Sequence, residues 1–212
     1  GSIVYAYGGG NCATVTDSTV IFLDKPSKVV NSIVDAKNPN ADNNGEVLTM
    51  NRFRSKMGIN TGFSHPSSDE FQIGRFFGGN NVAEMAIRPT WNLKRGLIRN
   101  LYNGGNKGAM THENGILMRL ISPDLTVDNV YGGCRMADVM PMKDGKINKI
   151  DKETVDGIEY PAGYAARLRI DAGNINNVYG GNDITGKVYG GNAVGIHTSI
   201  HGDVYGGGNG SY

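Results

Sequence analysis

A short element in which an aromatic residue is followed by paired glycines recurs along this 212-residue chain. The copies are Tyr7–Asn11, Phe77–Asn80, Tyr102–Asn106, Tyr131–Cys134, Tyr179–Asn182, Tyr189–Asn192 and Tyr205–Asn209. Internal repetition at a fixed period decides the architecture before any local pattern does, because each repeat buries its apolar face against its neighbours. Residues that recur in every repeat usually serve this stacking, so the pattern favours a structural protein over an enzyme.

The spacing of these elements sets the expected number of repeats. Where copies follow one another closely, the first glycines of successive pairs are about 26 to 28 residues apart. The gap from Gly132 to Gly180 is close to two such steps, and the gap from Gly8 to Gly78 is close to three. We therefore expect about eight or nine coils of roughly 24–28 residues, stacked in one unit that spans residues 1–212.

Weaker segments fill the gaps between the copies. Val155–Tyr160 keeps the outline with one inserted residue and Val30–Val34 keeps it without glycines, so both are interpreted as degraded copies. Turn-forming residues predict projecting loops near 38–46 and 64–70. The pattern over Val139–Glu153 leaves open a short amphipathic helical turn.

The residues before each aromatic indicate how the chain turns. Two apolar residues three positions apart, such as Ile98 and Leu101 or Val127 and Val130, precede it with small or polar residues between them. Such residues point to opposite faces of a straight strand, so both can face one core only if the chain turns a corner between them. Other segments alternate apolar and charged residues, as around Leu168. Together these patterns predict an all-β protein, a single-stranded parallel β-helix (β-solenoid).

Stacked coils would bring equivalent residues about 4.8 Å apart, in columns along the stack. The aromatic residues would form one ladder and the asparagines after the glycines another, with their amides bonded up and down the stack. The predicted aromatic ladder comprises Phe77, Tyr102, Tyr131, Tyr179, Tyr189 and Tyr205. The predicted asparagine ladder comprises Asn80, Asn106, Asn182, Asn192 and Asn209. Both ladders are structural in this interpretation.

The elements Val178–Asn182, Val188–Asn192 and Val204–Asn209 resemble a known kind of repeat. They are similar to the Val-Tyr-Gly-Gly-Gly-Asn repeats of large secreted or surface-anchored proteins of Bacteroides-like gut bacteria. The resemblance covers about the last 40 residues and islands at 3–11, 73–80, 98–106 and 127–134. It implies a fold like a parallel β-helix and a location outside the cell or at its surface, and it supplies no catalytic residues.

Two other repeat families do not fit. A kelch propeller needs a period near 50 with a regular tryptophan, whereas Trp91 is the single tryptophan here. Calcium-binding nonapeptide repeats need Gly-Gly-x-Gly-x-Asp in tandem, and Gly180–Asp183 lacks a required glycine and is not repeated. The sequence therefore predicts no cofactor and no metal site, although it leaves a calcium site open.

Charge and hydropathy limit the partners. The formal net charge of +1 gives no nucleic-acid footprint. No apolar run reaches the length of a membrane span, so we expect none in this segment. Neither end resembles the polar cap that a solenoid needs, so we expect a segment of a longer chain with neighbouring domains.

Cysteines and histidines suggest no joint chemistry. About five coils would separate Cys12 from Cys134, or some 20 Å or more, whereas a disulfide needs Cα atoms within about 7 Å. We therefore predict two free thiols. His197 and His201 would lie some 13 Å apart on a straight strand, which is too far to share one metal ion.

The most suggestive polar group is formed by Arg167, Arg169 and Asp171, which alternate along one predicted strand and so share a face. Parallel β-helix lyases and hydrolases place acidic, basic and cationic groups on such a face, although the same row is ordinary on a solvated surface. These three residues are the candidates for catalysis. Trp91 is the candidate for binding a glycan.

The sequence favours a structural or adhesive protein, secreted or at the cell surface, that acts as a rigid spacer. Such a spacer would present a binding surface to a glycan or to a host or bacterial surface protein. The alternatives are a carbohydrate-active β-helix enzyme (polysaccharide lyase or glycoside hydrolase) and a noncatalytic glycan-binding module. An enzyme should gather charged residues from several coils in one groove, whereas a spacer should scatter them.

Overall fold

The computed structural model of the chain describes residues 2–24 and 72–210. These residues are all-β, with mostly parallel strands and no helix among them. The predicted loops at 38–46 and 64–70, and the predicted degraded copy Val30–Val34, lie outside the described residues.

The strands are short and follow one another closely. They are β1 (Ser2–Tyr7), β2 (Val20–Leu23), β3 (Gln72–Phe77), β4 (Thr90–Leu93), β5 (Gly96–Tyr102), β6 (Ile116–Leu120), β7 (Leu125–Tyr131), β8 (Met142–Lys143), β9 (Lys146–Ile147), β10 (Glu153–Val155), β11 (Ile158–Tyr160), β12 (Ala166–Ile170), β13 (Asn174–Tyr179), β14 (Asn192–Ile196) and β15 (Val204–Tyr205).

The largest sheet has six parallel strands in the order β1-β3-β5-β7-β13-β15. Each strand lies beside the next one to enter this sheet along the chain, and equivalent residues are level with one another. Tyr102, for example, is level with Phe77 on one side and Tyr131 on the other. The register that the aromatic elements predict is therefore the register of the sheet.

The segments that connect the strands of this sheet contain further strands, which form smaller sheets. β6, β12 and β14 form a second parallel sheet, with β12 in the centre, and β2 pairs with β4 in parallel. Isolated parallel bridges link Met85 to Met110, Met110 to Val139 and Val139 to Val188. We call the stretch of chain from one strand of the six-stranded sheet to the next a passage. Backbone pairing at several positions joins neighbouring passages.

The expected count of eight or nine coils is wrong for the described residues. β1 pairs directly with β3, and β7 pairs directly with β13, so each long gap in the sequence is a single step in the sheet. The six-stranded sheet therefore has five steps. Between β7 and β13 the chain forms further strands, β8 to β12, none of which joins this sheet.

Two antiparallel hairpins account for the second gap. β8 pairs with β9, and β10 with β11, so Val155–Tyr160 is part of a hairpin and not a degraded copy, and Val139–Glu153 contains no helical turn. The turns are Asp144-Gly145 and Asp156-Gly157, in which all four residues have φ between 51° and 75°. Positive φ at both central positions is the type I′ geometry that Asp-Gly favours.

The two apolar residues that precede each aromatic residue share one core, as the predicted corner would require. Ile98 and Leu101 are three apart, yet both are fully buried in the same core, together with their equivalents in β3, β7 and β13. Tyr102, the next residue, belongs to a separate aromatic cluster. A second apolar cluster around Met85, Met110 and Val139 lies beyond the glycine bend.

Close approach of neighbouring strands explains the paired glycines. A Cβ atom on Gly132 would lie 2.3 Å from the carbonyl oxygen of Gly180, and one on Gly133 would lie 2.1 Å from Asn182 Oδ1. Asn182 Oδ1 in turn accepts a hydrogen bond from the backbone N–H of Cys134, at 2.8 Å. Only glycine leaves room for the next passage of the chain here.

Candidate functional site

Six aromatic rings form one continuous column along the six-stranded sheet. Neighbouring ring centroids are 4.6 to 5.1 Å apart, and the planes of neighbouring rings differ by 8° to 10°. The rings in order are Tyr7, Phe77, Tyr102, Tyr131, Tyr179 and Tyr205. Tyr189 lies outside the column, and its backbone N–H donates to the Val139 carbonyl. Such nearly constant ring orientation means that successive strands are related by little rotation.

The buried carboxylate of Asp183 is hydrogen-bonded to a tyrosine in the middle of this column. Tyr102 donates its hydroxyl hydrogen to Asp183 Oδ2 at 2.8 Å, and Asn209 Nδ2 donates to Asp183 Oδ1 at 3.0 Å. Burial, and then the nearby charge of Asp183, raise the pKa of Tyr102 and of Tyr131 well above its ordinary value of 10.0. Both phenols therefore stay protonated in the folded protein, where Tyr102 serves as a donor to Asp183.

These pKa shifts predict a loss of stability in alkali. Tyr102 and Tyr131 keep their protons when folded but ionise near pH 10 when unfolded. The stabilisation is therefore complete below pH 10 and is lost as the pH rises above it. Each phenol should contribute a decrease of about 1.4 kcal/mol per pH unit to the free energy of unfolding. Urea titrations between pH 8 and 11 would measure this slope, and Tyr102→Phe should make it shallower.

The five predicted ladder asparagines do not share one column. Asn80 and Asn182 are buried, and each Oδ1 accepts a backbone N–H from the neighbouring passage of the chain, at 2.6 and 2.8 Å. Their Nδ2 groups donate to backbone carbonyls, at 3.1 and 3.0 Å. Asn106 and Asn209 are one position further along in the register. Asn192 is in β14, in the second sheet. The number of residues between aromatic and asparagine differs between copies, which shifts the register.

An amide ladder does run along the position that Asn106 occupies. Asn81 Nδ2 donates to Asn11 Oδ1 at 2.6 Å, and Asn106 Nδ2 donates to Asn81 Oδ1 at 2.7 Å. Arg135 Nη1 then donates to Asn106 Oδ1 at 3.1 Å. Sequence reasoning placed one member of this ladder and missed the others.

A second amide ladder lies at the corner before the aromatic residue. Asn129 Nδ2 donates to Asn100 Oδ1 at 3.0 Å, and Asn177 Nδ2 donates to Asn129 Oδ1 at 2.9 Å. Asn177 Oδ1 accepts the backbone N–H of Asp203 at 3.0 Å. The recurrence of asparagine just before the second inward apolar residue was the sequence signal for this ladder.

Arg167 is held inside the protein. Its side chain is 1% exposed, and its guanidinium forms an ion pair with Glu153 of β10. Nε donates to the Tyr164 carbonyl at 2.9 Å and Nη2 to the Asp151 carbonyl at 3.1 Å. Arg88 binds the same carboxylate, with Nη2 2.9 Å from Glu153 Oε1. Two arginines thus share one carboxylate and fix the hairpin β10–β11 against the stack.

Arg169 and Asp171 take part in a second shared-carboxylate group. Arg169 Nε donates to Asp171 Oδ1 at 2.7 Å, and Arg119 Nε donates to Asp171 Oδ2 at 2.5 Å. Arg119 is level with Arg169 on the neighbouring strand β6. Burial raises the pKa of the Asp171 carboxyl, but its bonds to the two arginines outweigh burial and place the pKa below the ordinary 3.8. The repeated Arg at this strand position was the available signal for Arg119.

Two small cavities flank the buried Tyr160 at the end of the hairpin. One, of about 120 Å³, is lined by Trp91, Arg119 and Asp156 among others. The other, of about 170 Å³, is lined by Glu159, Arg167 and Arg169 among others. The structure therefore brings the predicted Arg167 and Arg169 to one side of Tyr160 and the predicted Trp91 to the other. We call this region the hairpin groove, defined by Trp91, Arg119, Asp156, Glu159, Tyr160 and Arg169.

Trp91 is partly used by the fold itself. Its indole N–H donates to Asn103 Oδ1 at 3.2 Å, and its ring meets Phe76 edge-on with centroids 5.9 Å apart. It packs against the main core and is only partly exposed. Only part of the side chain is therefore available to the hairpin groove.

The cysteines are fewer steps apart in the sheet than the repeat spacing suggested, and the histidines belong to different sheets. Cys12 is exposed, Cys134 is buried, and both thiols are free. They belong to passages three steps apart, since β1, β3, β5 and β7 are neighbours, rather than five. His197 follows β14 and bonds through its backbone N–H to Ile170, whereas the backbone N–H of His201 bonds to Ile175 of the six-stranded sheet.

Within residues 2–24 and 72–210, no three His, Cys, Asp or Glu side chains come together as a metal site requires. No helix in this part of the chain is long and apolar enough to cross a membrane. Comparison of the chain with protein-family models, with curated proteins and with solved structures gives no match.

Proposed function

We propose that this chain is a parallel β-helix that acts outside the cell or at its surface as a rigid spacer with an adhesive side. The observation that carries the proposal is the aromatic column, in which the planes of neighbouring rings differ by no more than 10° at each of five successive steps. Steps of nearly constant spacing and small rotation make a regular stack, which supports the role of a rigid spacer. The Val-Tyr-Gly-Gly-Gly-Asn resemblance supports the extracellular location.

Charged residues from several strands do meet, as an enzyme would require, but they bind one another, and this favours a spacer over an enzyme. A catalytic acid, base or cation must be able to reach a substrate atom. Arg167 is enclosed by Glu153 and two backbone carbonyls, while Arg169 and Asp171 bind each other and Arg119. These groups connect the hairpin and the neighbouring strands by ion pairs and hydrogen bonds, so their role is to stabilise the fold.

The hairpin groove is the surface on which we place binding of a glycan. It is lined by the aromatic residues Tyr160 and Trp91, by acceptors on Asp156 and Glu159, and by Arg119 and Arg169. The Nε groups of these two arginines bind Asp171, so their Nη groups are the donors that we assign to a glycan. Sugars present apolar ring faces rimmed by hydroxyls that both donate and accept, so this mixture suits them. The carbohydrate-active enzyme of the sequence analysis remains the second candidate, because cationic and acidic groups from neighbouring passages do meet here.

A panel of acidic and neutral polysaccharides separates these functions. Affinity electrophoresis measures retention, and assays for new reducing or unsaturated ends measure turnover. We expect retention by at least one polysaccharide without turnover. Arg119→Gln should weaken retention, whereas Lys107→Gln, which changes an exposed cation that does not line the hairpin groove, should leave it unchanged. Turnover that Arg169→Ala abolishes would show an enzyme, and absence of retention from the whole panel would remove the adhesive role.

A further inference from the structure

We propose that the hairpin groove is selective for glycans that carry a negatively charged group, and that Arg169 binds this group beside Gly195. The ligand is an anionic sugar, which carries either the carboxylate of a uronate or a sulfate ester. The inference rests on the glycan binding assigned above to the groove, and it adds the class of sugar. It depends on a row of residues that crosses the second sheet.

Three level positions on neighbouring strands form this row. Arg119 of β6 is level with Arg169 of β12, which is level with Gly195 of β14. Leu168 and Ile170, on either side of Arg169 in the sequence, are buried in the main core. Because successive side chains of a strand point to opposite faces, the row lies on the outer face of the sheet. The site is therefore part of a sheet face and not of a strand edge.

Two arginines of this face share the carboxylate of Asp171. Arg169 Nε donates to Asp171 Oδ1 at 2.7 Å, and Arg119 Nε donates to Asp171 Oδ2 at 2.5 Å. Among the described residues, no hydrogen bond or ion pair engages the Nη groups of either arginine. Two cations and one carboxylate leave one positive charge in excess. An anion that accepts hydrogen bonds from the Nη groups would neutralise it.

Partial burial strengthens the attraction of this group for an anion. The side chains of Arg119 and Arg169 are 32% and 27% exposed, and that of Asp171 is 19% exposed. Water and salt screen such charges less than charges on the open surface. The planar pair of Nη groups also matches two oxygens of a carboxylate or of a sulfate. An acidic sugar therefore gains more here than a neutral sugar, which offers only hydroxyls.

The glycine of the row leaves space beside Arg169. The nearest atoms to a Cβ atom added at Gly195 are His197 Nε2, at 3.5 Å, and Arg169 Cγ, at 4.0 Å, which are ordinary contact distances. Gly195 and Arg169 line the same cavity of about 170 Å³, together with Tyr160. Ala193, the other residue of β14 on this face, is also small and lines it as well. Small residues of β14 thus leave room for a ligand group next to the guanidinium.

The other charged residues of this cavity are already occupied. Arg167 is bound to its carboxylate partner and to two backbone carbonyls. The carboxylate of Glu159 pairs with Lys152 at 3.2 Å, so a cation compensates its charge. Arg169 is therefore the residue to which we assign the anion.

Pairs of sugars that differ in charge test the preference. A galacturonate oligosaccharide is compared with its neutral methyl ester, and dextran sulfate with dextran, by isothermal titration calorimetry at pH 7. At least one charged sugar should bind about tenfold or more tightly than its neutral counterpart, because it makes a charge-assisted hydrogen bond in place of a neutral one. A preference confined to the first pair identifies a carboxylate ligand, and one confined to the second pair identifies a sulfate ester.

Two other results would overturn the inference. Equal affinities within both pairs would remove the preference for charge and would leave the binding of glycans by the groove in place. Failure of all four sugars to bind would also remove the preference. Retention on the wider polysaccharide panel then decides separately whether the groove binds any glycan.

A carboxylate built into the chain gives a sharper test. Gly195→Asp places an acid beside Arg169, where it occupies the Nη groups in place of the ligand, and Gly195→Asn places a neutral side chain of similar size there. Gly195→Asp should bind the preferred charged sugar about tenfold or more weakly than Gly195→Asn does, whereas the two should bind its neutral counterpart alike. Equal affinities of the two variants for the charged sugar would contradict the role of Arg169.

Val82→Asp controls for added charge alone. Val82 is an exposed residue that does not line the hairpin groove, so this variant should bind the charged sugar like the parent chain. A loss as large as that of Gly195→Asp would mean that net charge, and not the position beside Arg169, decides the affinity. Circular dichroism confirms that each variant is folded.

Discussion

Glu153→Gln is expected to lower the free energy of unfolding by about 3 kcal/mol, because it removes one partner of a largely buried ion pair. The carboxylate of Glu153 is shared by Arg167, whose side chain is 1% exposed, and Arg88, whose side chain is 16% exposed. Neutralising it leaves two guanidinium groups close together without a negative charge between them, and only neutral oxygens remain as their acceptors. Urea denaturation at pH 7 measures the loss.

The same substitution next to it in the hairpin gives the control. Glu159 pairs with Lys152 on the surface, with both side chains more than half exposed. Such pairs contribute about 0 to 1 kcal/mol, so Glu159→Gln should have little effect. If Glu153→Gln proves as harmless as Glu159→Gln, the structural role of Arg167 is wrong, and its availability for catalysis has to be reconsidered.

Tyr102→Ala should have an equally large effect, about 3 to 5 kcal/mol, because it opens a cavity in the middle of the aromatic column. The ring of Tyr102 stacks on Phe77 at 4.6 Å and on Tyr131 at 4.7 Å. Its hydroxyl is a hydrogen-bond donor to the buried Asp183. Both contributions are lost together in the alanine variant. Urea denaturation at pH 7 measures this loss as well.

Two further variants divide this effect into its parts. Tyr102→Phe keeps the ring and removes the bond to Asp183, which should cost about 1.5 to 3 kcal/mol for a bond to a charged group. Tyr205→Ala removes a terminal ring that is 47% exposed and should cost about 1 kcal/mol or less. Equal losses for Tyr102→Ala and Tyr205→Ala would mean that the rings are independent side chains and do not act as a stacked column.

The local geometry was predictable wherever one residue's chemistry decides it. Ile98 and Leu101 were expected to face one core, and both lie in it. Paired glycines predict close approach, and a Cβ on Gly132 would collide with Gly180. In the same way, six of the seven aromatic residues that precede the glycines line up in register, and Tyr189 is the exception.

The number of repeats between distant copies of the aromatic element was not predictable from their spacing alone. A gap of 48 residues separates Asn129 from Asn177, and it fits either two coils or one coil with insertions. The information that distinguishes them lies in Asp144-Gly145 and Asp156-Gly157, which favour type I′ hairpin turns. Such hairpins lengthen the sequence between two strands of the six-stranded sheet without adding a strand to it.

The candidate site was predictable only in part for the same reason. Arg167, Arg169 and Asp171 were recognised from their alternation along one strand, which is a local property. Their partners Glu153 and Arg119 are 14 and 52 residues away from Arg167 and Asp171, respectively. Only the placement of the hairpin and the pairing of β6 with β12 reveal that these charges neutralise one another.

The central structural feature is the direct pairing of β7 with β13. The double variant Asn129→Cys with Asn177→Cys, in a Cys12→Ser background, tests this pairing. Burial raises the pKa of Cys134 to about 12, so this thiol stays unreactive. Side by side, the two Cα atoms would be about 4.8 Å apart, within the range of a disulfide. Asn100→Cys with Asn177→Cys spans two steps, about 9.6 Å, and serves as the control. Mild oxidation of the folded protein should cross-link the first pair completely and the second pair not at all. Failure of the first pair to cross-link, with the second pair unchanged, would contradict the direct stacking of these strands.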